Sequence, residues 1–90
     1  MIDMKRYHLF WEATAVRLIH PTQFLVVEAL LRIERPLSPT LLNDVYDEGY
    51  VGLWDYHCKR LTALGLLELA MRVQVRGTAE NYYWLRTGDS

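Results

Sequence analysis

A helical pattern that stops at a glycine and gives way to a strand pattern is the feature that most constrains this chain. Between residues 53 and 66, apolar side chains recur at steps of four, three and three: Trp54, Cys58, Leu61 and Leu64. Because an α-helix has about 3.6 residues per turn, this spacing places them along one helix face. Gly65 follows where a left-handed C-terminal cap needs a residue without a Cβ.

After the glycine the apolar period changes to two. Five polar or small residues alternate with the apolar positions Leu67, Leu69, Met71, Val73 and Val75. This alternation predicts a half-buried strand whose outward face carries Arg72, Gln74 and Arg76. A turn at residues 76–79 precedes an aromatic-rich returning strand at residues 81–85. Because neighbouring side chains alternate, at least one of its three aromatic residues is expected at an exposed surface or an interface: Tyr82, Tyr83 or Trp84.

The helices before residue 53 are also predicted from apolar spacing and caps. Residues 3–19 trace an apolar stripe, which either packs on the same core or pairs with a second copy of the chain: Leu9, Phe10, Ala13, Val16 and Ile19. A second helix begins at His20-Pro21 and ends before Pro36, with its buried side predicted at Phe24, Val27, Leu30 and Leu31.

A third helix is predicted from its N-terminal cap. Ser38 can cap it and Pro39 can begin it, and its buried side is predicted at Leu41, Leu42 and Val45. The turn at residues 47–49 then leads to a helix that begins near Gly52. Two short helices joined by a glycine-containing turn form a helix-turn-helix.

Composition limits the class of protein. Ninety residues make one small domain, and 51% hydrophobic residues suffice for a core. A single cysteine excludes an intramolecular disulfide and fits a reducing compartment. The sequence has no apolar run near the roughly 20 residues of a membrane span and no N-terminal targeting pattern. We therefore expect a cytoplasmic protein without membrane association: an N-terminal helix (1–19), a main domain (20–86) and a frayed tail (87–90).

Several short fragments, in this order and spacing, carry a resemblance to a known family: His20-Pro21, Leu37-Ser38-Pro39, Tyr56-His57, Leu61, Leu64-Gly65-Leu66, Arg76-Gly77 and Tyr82-Tyr83. Over roughly residues 20–85 the chain resembles the ArsR-like winged helix-turn-helix transcription regulators. The resemblance implies an α+β, mostly helical fold, with an extra N-terminal helix and a C-terminal two-stranded β wing. It also implies that a recognition helix, residues 53–64, enters the major groove of double-stranded DNA while the wing reaches the backbone.

Candidate DNA contacts follow from the predicted faces. With Trp54, Cys58 and Leu61 inward, four residues fall on the outer sides of the helix: Tyr56, His57, Lys59 and Arg60. Phosphates or base edges are their expected targets, and the wing residues Arg72, Gln74 and Arg76 suit backbone phosphates. The alternative is an ordinary solvated surface on which Asp55 and Lys59 pair at a spacing of four.

The net charge of −1 is unusual for a nucleic-acid binder. Residues 53–76 carry four Lys/Arg and two Asp/Glu, whereas residues 38–52 carry three acidic residues and no basic one. The helix and strand are thus only mildly basic, and binding as a dimer is expected.

Metal, cofactor and catalytic roles have little support in the sequence. One cysteine cannot form the vicinal-cysteine motif of metal-sensing relatives, and His8 with Glu12 supplies only two ligands. The sequence contains no phosphate-binding loop or nucleophile motif, so we expect no cofactor and no enzyme activity. Two functions remain open: a homodimeric DNA-binding regulator that pairs through its N-terminal helix, and a winged helix used for protein–protein contact.

Overall fold

The protein folds as three helices followed by a β-hairpin. The structure is a computed structural model that describes residues 20–47 and 49–86. The elements, in chain order, are α1 (Pro21–Ile33), α2 (Pro39–Tyr46), α3 (Val51–Ala63), β1 (Leu67–Val75) and β2 (Thr78–Leu85). The predicted α+β class is confirmed, and the arrangement is consistent with a winged-helix-like fold.

Some of the sequence-based predictions lie outside the described residues. These are the N-terminal helix at residues 3–19 and the tail at residues 87–90. Within the described ranges, no helix has the length and apolar character needed to cross a membrane.

The first two helices begin at the predicted prolines, and the predicted Ser38 cap is present. Pro21 and Pro39 each occupy the first turn, where a missing N–H costs nothing. Ser38 Oγ accepts a hydrogen bond from the Leu41 backbone N–H at 3.2 Å. His20 caps α1 through Nδ1, which accepts from the Thr22 N–H at 3.1 Å. Each cap satisfies a backbone donor that the helix itself leaves unpaired.

Two residues predicted on the buried faces of α1 and α2, Phe24 and Val45, are exposed, and one that was not predicted there, Gln23, is buried. In α1, Gln23 is only 2% exposed while Phe24 is 38% exposed. Gln23 tolerates burial because its amide hydrogen-bonds to His57. In α2, Leu42 is buried as predicted, but Val45 is 49% exposed, because this two-turn helix turns only a narrow face toward the core.

Helix α3 is buried and terminated as the sequence predicts. Trp54, Cys58 and Leu61 are each 1% exposed or less. The helix begins at Val51, slightly before the predicted start. Gly65 adopts a φ of +81°, and the Leu66 N–H donates to the Leu61 carbonyl at 3.0 Å. This Schellman-type end needs a left-handed residue, and glycine adopts that conformation without a Cβ clash.

The hairpin closes through a tight turn and is held to the core at its base. Arg76 and Gly77 both have positive φ, 47° and 82°, which matches the two-residue turn that suits strand twist. Leu37 adds one bridge to Tyr83 through backbone hydrogen bonds of 2.9 and 3.1 Å. Leu67 pairs with Leu85, and both are buried.

A β-bulge divides the predicted apolar stripe of β1. Leu69 pairs with Tyr83, but Met71 pairs with Tyr82, so Ala70 is an extra residue in β1. Tyr82 and Tyr83 are neighbours on β2 and therefore point to opposite faces. The apolar residues beyond the bulge consequently lie on the face away from the helices, and the polar ones on the helix side. The prediction of a single buried stripe through Val75 is wrong, because one inserted residue reverses the alternation.

The N-terminal cap of α2 gives a test of this description. Replacing Ser38 by alanine removes the acceptor for the Leu41 N–H, and we expect a loss of about 1 kcal/mol in the free energy of unfolding. Urea denaturation followed by circular dichroism measures it. Thr40→Ala, an exposed change in the first turn of the same helix, is the control and should leave stability within about 0.5 kcal/mol. Equal effects of the two changes would contradict the assigned cap.

Candidate nucleic-acid interface

The exposed face of α3 carries three of the four residues predicted on it. Tyr56 is 56% exposed, and Lys59 and Arg60 are also exposed. They project from a helix whose opposite face is buried, so the core holds their backbone in place. Phenol and guanidinium groups on a rigid exposed helix are suited to bases and phosphates.

The two cations on this face differ in their surroundings. Lys59 Nζ lies 2.9 Å from Asp55 Oδ2, which is the pairing considered from the sequence. The hydrogen bond to Asp55 raises the pKa of Lys59. Arg60 forms no ion pair with any residue in the described part of the chain. Arg60 is therefore the better placed of the two to meet a new anionic partner.

His57 is buried, so the prediction that it lies on an outer side of the helix is wrong. The first turn of α1 covers the His57 side chain, which is only 4% exposed. The His20 ring lies with its centroid 4.3 Å from that of His57, and the Tyr56 ring lies edge-on at 5.0 Å. The Gln23 amide nitrogen is 3.3 Å from His57 Nδ1. His57 therefore links α3 to α1 through Gln23 and His20, and its ring contacts the ring of Tyr56.

Burial lowers the pKa of His57, and the nearby His20 and Arg60 lower it further. If Nδ1 accepts the proton of the Gln23 amide, the ring proton of neutral His57 lies on Nε2. A neutral ring fits this contact because a positive charge there would be desolvated and next to a guanidinium.

A polar and aromatic contact network fixes the angle between α2 and α3. Trp54 Nε1 donates to Asn43 Oδ1 at 3.2 Å, and its ring stacks on Tyr46 at 5.3 Å between centroids, 15° from parallel. The Tyr46 hydroxyl donates to the Leu25 carbonyl at 2.6 Å. Trp54 is therefore a core residue, as predicted. Sequence reasoning missed Asn43 and Tyr46, because helical periodicity does not indicate which side chains meet across a turn.

The bulge in β1 determines which way the hairpin cations face. Arg72 pairs with Asn81 and Gln74 with Ala79, on the face that packs against the helices at the hairpin base. Without the extra residue, these side chains would point away from the helices. Arg76 lies at the turn itself. Register therefore puts Arg72 and Gln74 on the helix side of the hairpin, and both side chains are exposed.

Cys58 behaves as a core residue. Burial, with a smaller contribution from Asp55, raises the pKa of its thiol to about 12. A thiol that stays protonated is a poor nucleophile and a poor metal ligand. In the ranges 20–47 and 49–86, no three His, Cys, Asp or Glu residues are grouped so that they could hold a metal ion.

Comparison with family models and with curated proteins gives no match for this chain.

The lowered pKa of His57 predicts acid sensitivity. Above the ordinary histidine pKa of 6.5 the ring is neutral in both the folded and unfolded states, so stability is independent of this group. As the pH falls below 6.5, the unfolded chain takes up the proton first and the free energy of unfolding decreases. Denaturation at pH 7.5 and 5.0 measures the loss, and His57→Gln should reduce it. An unchanged loss in that variant would contradict the assignment, whereas His20→Asn, which keeps a capping side chain, should retain part of it.

Proposed function

We propose that this chain is a DNA-binding transcription regulator of the winged helix-turn-helix type, related in kind to the ArsR-like regulators and acting in the cytoplasm. The observation that carries the proposal is the bulge at Ala70, which turns Arg72 and Gln74 to the helix side of the hairpin. A helix and a hairpin that present cations on one side can contact one duplex together, the helix in a groove and the hairpin on the adjacent backbone.

In the proposed mechanism α3 enters the major groove of double-stranded DNA. Arg60 donates to a guanine edge or a phosphate, and Tyr56 donates its hydroxyl to a phosphate or base edge. Lys59 adds a phosphate contact when its ion pair with Asp55 is replaced by one with a DNA phosphate. On the hairpin, Arg72 and Arg76 bind backbone phosphates, and Gln74 donates its amide to the same strand. His57 supports Tyr56 without touching DNA.

We further propose that the active form is a homodimer that pairs through the N-terminal helix at residues 3–19. A single copy offers few phosphate contacts, and the chain's net charge is −1. Two copies double those contacts and read two half-sites about one helical turn apart. Binding energy, steep salt dependence and specificity all follow from this doubling.

A second candidate function is a winged helix that binds another protein. Exposed apolar side chains at the beginning of α3 favour this function. Tyr50, just before the helix, is 66% exposed, and Val51 is 41% exposed. The Asp55–Lys59 pair also lowers the net positive charge of the same surface. Aromatic and aliphatic side chains around a partly neutralised helix suit a protein partner better than phosphates.

The dependence of duplex binding on salt separates the two candidates. A DNA-binding dimer should lose affinity steeply between about 50 and 200 mM salt, since each neutralised phosphate contributes about 0.9 to the slope of log K against log salt. Random-sequence duplex and fluorescence anisotropy suffice for the measurement. Absence of binding even at the lowest salt would overturn the DNA-binding proposal and favour the protein partner.

Alanine variants test which cations bind DNA. The double change Arg60→Ala with Arg72→Ala should abolish measurable binding, or reduce it at least about a hundredfold in a dimer, because four phosphate or base contacts are lost. The fold should remain, since both side chains are exposed. Arg32→Ala removes an exposed arginine that pairs with Glu28 on α1 and is the control for net charge. Binding that survives the double change, or falls equally in the control, would contradict the assigned surface.

A further inference from the structure

The hairpin contains one buried polar atom, Asn81 Oδ1, that has no hydrogen-bond partner among the residues that the structure describes. An amide oxygen that is buried in this way costs free energy, because it has lost its hydrogen bonds to water. Native proteins bury few such atoms without a functional or structural reason. A donor that reaches Asn81 only in a complex would account for this atom.

Asn81 lies on the helix side of the hairpin. It is two residues before Tyr83 on β2, and Tyr83 is buried in the core. Side chains two residues apart on a strand share a face of the sheet. Asp55 and Lys59 of α3 are close enough to Tyr83 for their charges to act on its hydroxyl. The face that Asn81 occupies is therefore close to the part of α3 that carries those two residues.

The amide nitrogen of Asn81 already has a partner. Burial raises the pKa of the Tyr83 hydroxyl, and a hydrogen bond from Asn81 opposes this increase. A hydrogen bond lowers the pKa of a phenol when it is donated to the phenol oxygen, because the phenolate is then stabilised. The amide N–H of Asn81 therefore donates to Tyr83, and the carbonyl oxygen of the same amide is the atom left without a donor.

Arg72 is the donor best placed to reach Asn81 Oδ1. The two residues pair directly across the hairpin, and paired side chains have Cβ atoms about 4.5–5.5 Å apart. Arg72 is exposed and forms no ion pair within the described ranges. Two other donors lie on this side of the fold. Lys59 is held by Asp55 at 2.9 Å, and Gln74 lies two positions nearer the turn.

The cost of ordering Arg72 explains why this contact would form together with an anion. An exposed arginine loses rotamer freedom when it is held in one conformation, and one hydrogen bond to an amide is largely offset by the loss of water contacts. When the same guanidinium also binds a phosphate, one ordering cost serves both contacts. Its five N–H donors form a planar fork, so one edge can reach the amide oxygen while another reaches the phosphate.

We propose that Asn81 is the positioning residue for Arg72, so that in a DNA complex Asn81 Oδ1 accepts one guanidinium N–H while a backbone phosphate accepts others. The proposal rests on the DNA-binding function proposed above and specifies how one of its contacts is oriented. The hydrogen bond to Tyr83 fixes the Asn81 amide, and the amide in turn orients Arg72. The buried acceptor then has a donor only when DNA is bound.

Double-mutant cycles in duplex affinity test this coupling in the full chain. Asn81→Leu should weaken binding of random-sequence duplex at least about fivefold, because Arg72 is no longer oriented. In an Arg72→Ala background the same change should cost less than about twofold, since the residue that it orients is absent. Arg76→Ala is the matched control. Arg76 lies at the turn, about 13 Å from Arg72 along the strand direction, so the fivefold loss should remain in its background.

A positioning defect and a structural defect give different patterns in these cycles. Damage to the packing of the hairpin would weaken binding by the same factor in both backgrounds, and a residue without a role would change binding in neither. Either pattern would overturn the proposal. Asn81→Ala, which removes the amide without adding the bulk of leucine, should show the same coupling to Arg72. Cooperative unfolding in urea shows that each variant is folded.

The wild-type measurement keeps the two proposals distinguishable. A wild-type chain that binds no duplex at low salt would overturn the DNA-binding function, and the role of Asn81 with it. Duplex binding that is weakened by Arg72→Ala but shows no coupling between residues 72 and 81 would overturn only the role of Asn81.

Discussion

The position of α3 depends on the burial of one aromatic side chain, Trp54. Its ring fills the space between α2 and α3, where it stacks on Tyr46 and donates to Asn43. Tyr46 in turn donates to the Leu25 carbonyl of α1. Three helices thus share one packed contact with its polar groups satisfied, which fixes their relative angles more firmly than apolar packing alone would. Because the buried side of α3 is fixed in this way, the residues on its exposed side are held in fixed positions. A surface that binds a partner specifically needs such fixed positions.

A single extra residue determines which face of the hairpin each side chain occupies. Ala70 adds one position to β1, and everything beyond it changes face. At the base of the hairpin, Leu67 and Tyr83 complete the core. Beyond the bulge, the polar side chains of β1 lie on the helix side and the aliphatic ones lie on the opposite face. One local irregularity therefore turns the polar side chains of β1 beyond the bulge to one face of the hairpin and the aliphatic ones to the other.

Much of the fold could be predicted from the sequence because its signals are local. The caps at Ser38 and Gly65 depend on side chains within a few residues of the helix ends, and the Trp54 stripe follows helical periodicity. The bulge could not be predicted in this way, since perfect alternation through Val75 gives no sign of an inserted residue. Its position depends on how β1 pairs with β2, which is a non-local property.

The candidate site was less predictable than the fold. Arg60 and Tyr56 are exposed as expected from their helix positions. His57 is buried because α1 covers that side of α3, and Gln23 is buried because it hydrogen-bonds to His57. Glutamine and histidine are both polar, so hydrophobicity does not predict that either residue is buried. The two share a hydrogen bond that offsets part of the cost of burying them. A contact between residues 34 positions apart in sequence leaves no periodic signal.

The most direct test of the account is to map the surface that duplex DNA touches. Backbone amide resonances of the full chain, followed by NMR during titration with a random duplex at low salt, report the contact residue by residue. We predict shifts concentrated at Tyr56, Lys59 and Arg60 on α3 and at Arg72 and Gln74 on the hairpin, with Met71 and Val75 on the opposite face of the hairpin unaffected. Shifts confined to that opposite face or to α1, or no shifts at all, would contradict this prediction.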